Sequence, residues 1–294
     1  MNGLTKTVTY AAAMLAIVLW GMSFIWTDRI FDYGVPVFTY AFTRMSIAAV
    51  LLLIFTKATG KLQHIEPADY KWLFLLGLFE PFLYFIGESF GLKATQSPVV
   101  TAVVIATIPL FCIIYERIFC NRRINRLSIL GIIMTIPGVL LVALEGGSAS
   151  VDHLYGIAFL FLAVFSSIGF SVNAKRLSAK YNSLTIATYQ FAIGAVLFLP
   201  PFLFGGTAGI NEQFFSWEVL YPLLMLALFC SCVCFVLWIG ILRNIGVTRT
   251  NIFSALIPVV SAVAAAILGA DIMTNLRYCG IAIVILGVII AQRD

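Results

Sequence analysis

Residues 84–143 lie over residues 233–292 at a constant offset of 149 with no gap, so the chain reads as two copies of one unit. Gly91 falls on Gly240, Thr101 on Thr250, Pro109 on Pro258, Gly131 on Gly280 and Gly138 on Gly287. Four of these five landmarks are Gly or Pro, the residues that dictate backbone shape, so what repeats is a chain path. Earlier segments repeat more weakly: Ser46-Ile47-Ala48-Ala49-Val50-Leu51 matches Ala192-Ile193-Gly194-Ala195-Val196-Leu197, and Trp20 falls near Phe165. The copies divide as 1–146 and 147–294.

Of 294 residues 62% are hydrophobic and 11% charged, and the mean hydropathy is +1.04, which excludes a soluble domain. Apolar stretches occupy 8–26, 36–55, 70–90, 98–119 and 127–144, then 154–174, 184–204, 219–240, 248–269 and 275–291. Each is close to the helix length that crosses a hydrocarbon core of roughly 30 Å. The expected fold is an all-α integral membrane protein with ten transmembrane helices, five per copy. Lys6 before the first stretch imitates a secretory signal, but that stretch ends Trp20-Gly21-Met22-Ser23-Phe24-Ile25-Trp26 rather than in small residues, and the expectation is that it is retained.

Lys and Arg set the orientation. With the N-terminus in the cytoplasm, that side receives Lys6, Lys57, Lys61, Lys71, Arg117, Arg122, Arg123, Arg126, Lys175, Arg176, Lys180, Arg243, Arg249 and Arg293, and the other side only Arg29, Lys93 and Arg277. Short basic loops resist translocation, so both termini are expected in the cytoplasm of a cell (inner) membrane protein. The net charge of +5 reflects this topology and is no nucleic-acid footprint. An odd number of spans per copy makes the second copy enter from the opposite side. Inverted repeats of this kind are a recurrent transporter design, because exchanging the conformations of the halves turns an inward-open cavity outward.

Ten spans in two halves, Val18-Leu19-Trp20-Gly21-Met22-Ser23-Phe24 in the first, an Arg in the second, Gly91-Leu92-Lys93-Ala94-Thr95 after the third and a mid-helix Pro in the fourth and ninth resemble the EamA family of the drug/metabolite transporter superfamily. The resemblance implies a secondary carrier, largely an exporter of amino acids and other metabolites, with its substrate cavity between the halves. The Gly-Glu pair that members often carry at the ends of spans four and nine is replaced here by Cys120-Asn121 and Gly269-Ala270-Asp271.

Ionisable residues inside spans cost about 2.5–3.5 kcal/mol on insertion scales and call for a reason. Arg44, Glu80 and Glu88 stand out. At 1.5 Å per residue Arg44 and Glu80 lie roughly 12 and 15 Å deep and Glu88 about 3 Å, so Glu80 is the expected counter-charge of Arg44. A structural ion pair plus an interfacial acid explains the trio as well as a Glu that exchanges protons or recognises a substrate amine. Their repeat partners, Gln190, Phe229 and Leu237, are uncharged, and an asymmetric feature on a symmetric scaffold favours function. Pro81 should kink the third span, and Tyr84, one turn beyond Glu80, shares its face. Trp20, Tyr189 and Trp238 are the other candidate cavity residues; Gln190 and Asn173 serve interhelical hydrogen bonding equally well. Pro109 and Pro258 are kinks and, with Pro81, candidate hinges. The pairs Gly131/Gly138 and Gly280/Gly287 permit close packing of spans five and ten, or a homodimer seam.

The six Cys fall within or at the ends of spans and behave as small apolar residues. Cys230, Cys232 and Cys234 point to different helix faces and cannot share a metal, and His64 and His153 lie on opposite sides. No cofactor, metal or nucleic-acid partner is expected. The reading is a secondary active transporter, exporting or exchanging a small amino-acid-like or amphipathic compound, with protons as a candidate second partner, working as a monomer or homodimer. The alternatives are an intramembrane lipid-processing enzyme, for which only Arg44, Glu80 and Glu88 are available, and a channel, which usually needs symmetric subunits.

Overall fold

A computed structural model of the chain describes residues 3–119, 125–143, 151–271 and 273–291. Cys120, Asn121, Arg122, Arg123, Arg293 and the 146/147 division lie outside the described residues, as does the side chain of Lys6. Among the described residues the chain forms ten helical rods and no strand. They are α1 (Thr7–Asp32), α2 (Val37–Ala58), α3 (Pro67–Thr95), α4 (Pro98–Phe119), α5 (Arg126–Val142), α6 (Val151–Leu177), α7 (Ser183–Gly205), α8 (Trp217–Ile245), α9 (Val247–Leu268) and α10 (Asn275–Ala291). Eight are long and apolar enough to cross a membrane; α5 and α10 are shorter. The expectation of ten full spans is thus met by eight, since a 17-residue helix such as α10 reaches only about 25 Å.

Hydrogen bonds fix the relation between the copies. Thr56 near the end of α2 meets Thr188 near the start of α7 at 2.8 Å, while Thr39 near the start of α2 donates to the Gly206 carbonyl just past α7 at 2.5 Å. The equivalent helices α2 and α7 therefore run antiparallel. Likewise Ser128 at the start of α5 donates to the Ala291 carbonyl at the end of α10 at 2.6 Å, and Gly131 and Gly138 pack on Gly287 and Gly280. A Cβ built on Gly138 would lie 2.9 Å from the Gly280 carbonyl oxygen, so this seam closes backbone on backbone within one chain. The remaining contacts follow the same two-fold: α1 packs on α8 and α9 as α6 packs on α3 and α4. Two copies facing opposite ways share one core.

Burial inverts the soluble pattern at the perimeter. Phe204, Ile267 and Val196 are 92%, 77% and 68% exposed, an apolar belt suited to lipid, while Arg44, Glu80, Glu88 and Gln190 are buried inside. The face of the bundle where α1 begins carries Lys57, Lys61, Arg176, Lys180, Arg243 and Arg249 and is called the basic face below; the opposite face carries Arg29, Lys93 and Arg277.

Four helices are interrupted, in matching pairs. In α3 the helix widens to i→i+5 turns over Leu78–Leu83, with Glu80 in extended backbone (φ −145°, ψ 114°) before Pro81, whose nitrogen carries no hydrogen. The Glu80–Pro81 bond is cis. In α8 the same widening occurs over Leu226–Val233 with no proline. In α4 the helix stops at Ile105 and restarts at Ile108, with Pro109 in the new first turn. In α9 the chain tightens to 3₁₀ turns over Ile252–Leu256 and restarts at Ile257, with Pro258 in its first turn. A first-turn Pro sacrifices no helical hydrogen bond, which is why both restarts sit there.

Candidate functional site

The interruptions meet around a cavity of about 40 Å³ between the copies. From the first copy, α1 contributes Trp20, Ser23 and Phe24, α2 contributes Arg44, and α3 contributes Glu80, Tyr84, Phe85 and Glu88. From the second, α6 supplies Ser167 and Phe170, α8 supplies Phe235 and Trp238, and α9 supplies Asn251, Ser254 and Ile257. Ile105 and Ile108 flank the break in α4 and complete the wall.

Each widened turn frees a carbonyl, and the opposite copy satisfies it. Gln190 Nε2 in α7 donates to the Glu80 carbonyl at 3.0 Å, and one turn along, Gly194 leaves room for the Pro81 ring. Trp20 Nε1 in α1 donates to the Cys230 carbonyl in α8 at 3.2 Å. Buried backbone acceptors need such partners in a dry interior. Trp20 also meets Trp238 and Phe235 edge-on, with ring centroids 4.8 and 5.5 Å apart, and so forms an aromatic wall.

Arg44 is 2% exposed. Its Nε donates to Ser231 Oγ at 2.9 Å and its Nη1 to Tyr40 OH at 2.5 Å; Tyr40 is in turn 3.0 Å from Thr27 Oγ1. The guanidinium lies over the Phe85 ring, 4.4 Å from its centroid. The expected ion pair with Glu80 is not formed: among the described residues neutral oxygens and a ring face hold Arg44. Glu80 and Glu88 are 5% and 3% exposed, and the Oε2 of each is buried without a hydrogen-bond partner. An unpaired buried polar atom is costly and marks a place where a ligand, water or proton belongs.

Six of the sequence candidates, Trp20, Arg44, Glu80, Tyr84, Glu88 and Trp238, line this one cavity. Gln190 stands behind it, holding the Glu80 backbone, and Tyr189 packs against the core away from the cavity. Pro81, Pro109 and Pro258 sit at the interruptions. Sequence reasoning missed Tyr40, Ser231, Ser23, Ser167, Asn251 and Ser254. Tyr40 was legible as the residue one turn before Arg44. Asn251 donates to Ser171 Oγ at 3.2 Å and to Cys112 Sγ at 3.4 Å, and its amide within the apolar span of α9 was the available signal.

The model of the EamA-like transporter family matches residues 7–144 and again 154–292. An uncharacterised transporter of Archaeoglobus fulgidus is 27% identical over 95% of this chain and 96% of its own length. The uncharacterised transporter YetK of Bacillus subtilis is 27% identical over 96% of this chain and 85% of its own, and the uncharacterised inner membrane transporter YedA of Escherichia coli 24% over 96% and 89%. A crystal structure superposes with a TM-score of 0.71 at 18% identity, covering 97% of this chain and 96% of that one, which supports the fold. With both copies matched along nearly their whole length, this multi-pass membrane protein belongs to the EamA-like transporter family.

Proposed function

We propose that the protein is a secondary active transporter that exports or exchanges a small amino-acid-like or amphipathic compound by alternating access, with ten spans and both termini in the cytoplasm. The observation that carries this reading is the cavity between the copies, where Glu80 and Glu88, each with an unpartnered Oε2, share a wall with Arg44 and seven aromatic residues. A guanidinium has five N–H donors, and Tyr40 and Ser231 engage two. Donors remain for a ligand carboxylate, the free carboxylates suit an ammonium group, and Trp20, Trp238 and Phe235 suit an apolar body.

Volume supports a moving protein. A metabolite pocket needs about 300 Å³ or more, whereas about 40 Å³ holds only water-sized groups. The copies must separate to admit a substrate, and the interruptions in α3, α4, α8 and α9 are where they would bend, with Pro81, Pro109 and Pro258 as hinges. The cavity is complete within one chain, and the glycine seam is closed inside it, which supports a monomer as the working unit. Purified protein in liposomes tests the reading through counterflow of aromatic and aliphatic amino acids and amines. Saturable exchange of one compound is expected; flux that never saturates, or conversion of a lipid to product, would replace the carrier by a channel or an enzyme.

A further inference from the structure

The inverted copies differ at their mouths. At the basic face, the start of α3 is tied to the end of α6 and the turn beyond it. Lys180 Nζ lies 2.8 Å from Asp69 Oδ2 and 3.0 Å from Glu66 Oε2, and Tyr181 OH donates to the same Asp69 oxygen at 2.9 Å. One turn along, the Arg176 guanidinium lies 3.8 Å from the centroid of the Trp72 ring. At the opposite face, the two-fold places the start of α8 against the end of α1, and there the helices enclose an open cavity of about 770 Å³.

Its lining repeats the chemistry of the tie. The offset of 149 carries Asp69 onto Glu218 and Trp72 onto Tyr221, and both line this vestibule. The end of α1 is the counterpart of the end of α6; its one basic residue, Arg29, lines the vestibule too. Arg29, Glu218 and Tyr221 thus hold a base, an acid and a ring like those engaged at the basic face, and among the described residues Arg29 and Glu218 form no ion pair here. Asp28 and Asp32 line the same vestibule, so further carboxylates stand near a closing Arg29, as Glu66 stands beside Asp69 at Lys180.

We propose that Arg29 with Glu218, over the Tyr221 ring, is the second latch of this carrier, closing the vestibule when the Lys180–Asp69 and Arg176–Trp72 contacts of the basic face release. The proposal rests on the alternating-access reading. It takes the structure as the state in which the first latch is engaged and the second is open. The cations Lys180, Arg176 and Arg29 are exposed, as is Glu218, although Asp69 is buried, and pairs that water reaches on one side are weak enough to be broken in every cycle. The conformations exchange because each latch stabilises one of two states.

The test uses the full chain with its native cysteines replaced by alanine or serine. Lys180→Ala, with Arg176→Ala as the second variant, weakens the first latch. A Ser254→Cys reporter in the central cavity should then react faster with an impermeant maleimide applied at the basic face. In the same backgrounds, oxidative crosslinking of Arg29→Cys to Glu218→Cys should rise by about fivefold, within the usual range for coupled sites. The charge swap R29E/E218R should recover counterflow that each single change loses. If reporter labelling rises but the crosslink does not, the second latch is wrong while alternating access stands. If labelling does not rise in either variant while counterflow persists, the basic-face contacts are no latch and the proposal falls with alternating access intact; if saturable counterflow is absent from the parent, alternating access itself fails. A crosslink that rises without recovery in the charge swap would overturn the ion pair.

Discussion

Arg44 is enclosed and forms no ion pair among the described residues, so its direct contacts are Tyr40, Ser231 and the Phe85 face. Hydrogen bonds to a charged group contribute about 1.5–3 kcal/mol, and Tyr40→Phe removes one from Arg44 while stranding Thr27 Oγ1. We expect that variant to lose about 2 kcal/mol, read as a lower melting temperature in detergent. The opposite is expected of Glu80→Gln and Glu88→Gln. The Oε2 of each has no hydrogen-bond partner to strand, and an uncharged amide is easier to bury, so melting should be unchanged or raised. Counterflow should fall about ten- to a hundredfold if each contributes a charge-assisted bond to the ligand. An unchanged rate in both variants would leave the carboxylates without a part in transport. Depth along the helix brought Arg44 and Glu80 together from sequence alone but set Glu88 nearer the mouth, whereas the packed structure puts all three on one cavity. The partner choice was not legible, because Ser231 comes from α8 and only the packed structure sets it beside α2.

At the scale of elements, proline made one break readable and its twin not. Pro81 announces the interruption of α3; the equivalent turn of α8 reads Cys230-Ser231-Cys232-Val233-Cys234, with no helix breaker, and its widening is matched by the Trp20 bond across the copies. Serines of the cavity were hidden for a related reason: Ser254 and Ser23 donate to their own helix, to the Asn251 and Trp20 carbonyls, as ordinary membrane serines do. The glycine pairs of α5 and α10 were legible by spacing. A methyl group on Gly131 would meet the Gly287 carbonyl and the Ala291 backbone, which cannot yield as a side chain can. Gly131→Ala should therefore cost about 1–3 kcal/mol, the range for overpacking. Gly205→Ala is the control, since nothing lies within 4 Å of its added carbon and its stability should hold. Equal melting temperatures for the two variants would mean that the seam has slack.

For the whole molecule, inversion follows from counting: five helices per copy, and equivalent helices that run antiparallel in α2/α7 and α5/α10. It also makes the two faces interchangeable in shape, so shape cannot say which is cytoplasmic and only charge can. The basic face gathers Lys57, Lys61, Lys175, Arg176, Lys180, Arg243 and Arg249, against Arg29, Lys93 and Arg277 opposite. Asp69 and Glu66 hold the Lys180 ammonium above the ordinary lysine range, so this charge persists through physiological pH. Retention of basic loops on the synthesis side is the reason we propose that this face is cytoplasmic. Lys61 and Glu212 are exposed on opposite faces and suit single-cysteine labelling. In intact cells an impermeant maleimide should modify Glu212→Cys at once and Lys61→Cys only after permeabilisation. The reverse pattern would turn the molecule over, make the engaged latch the outer one, and exchange the direction in which the carrier faces.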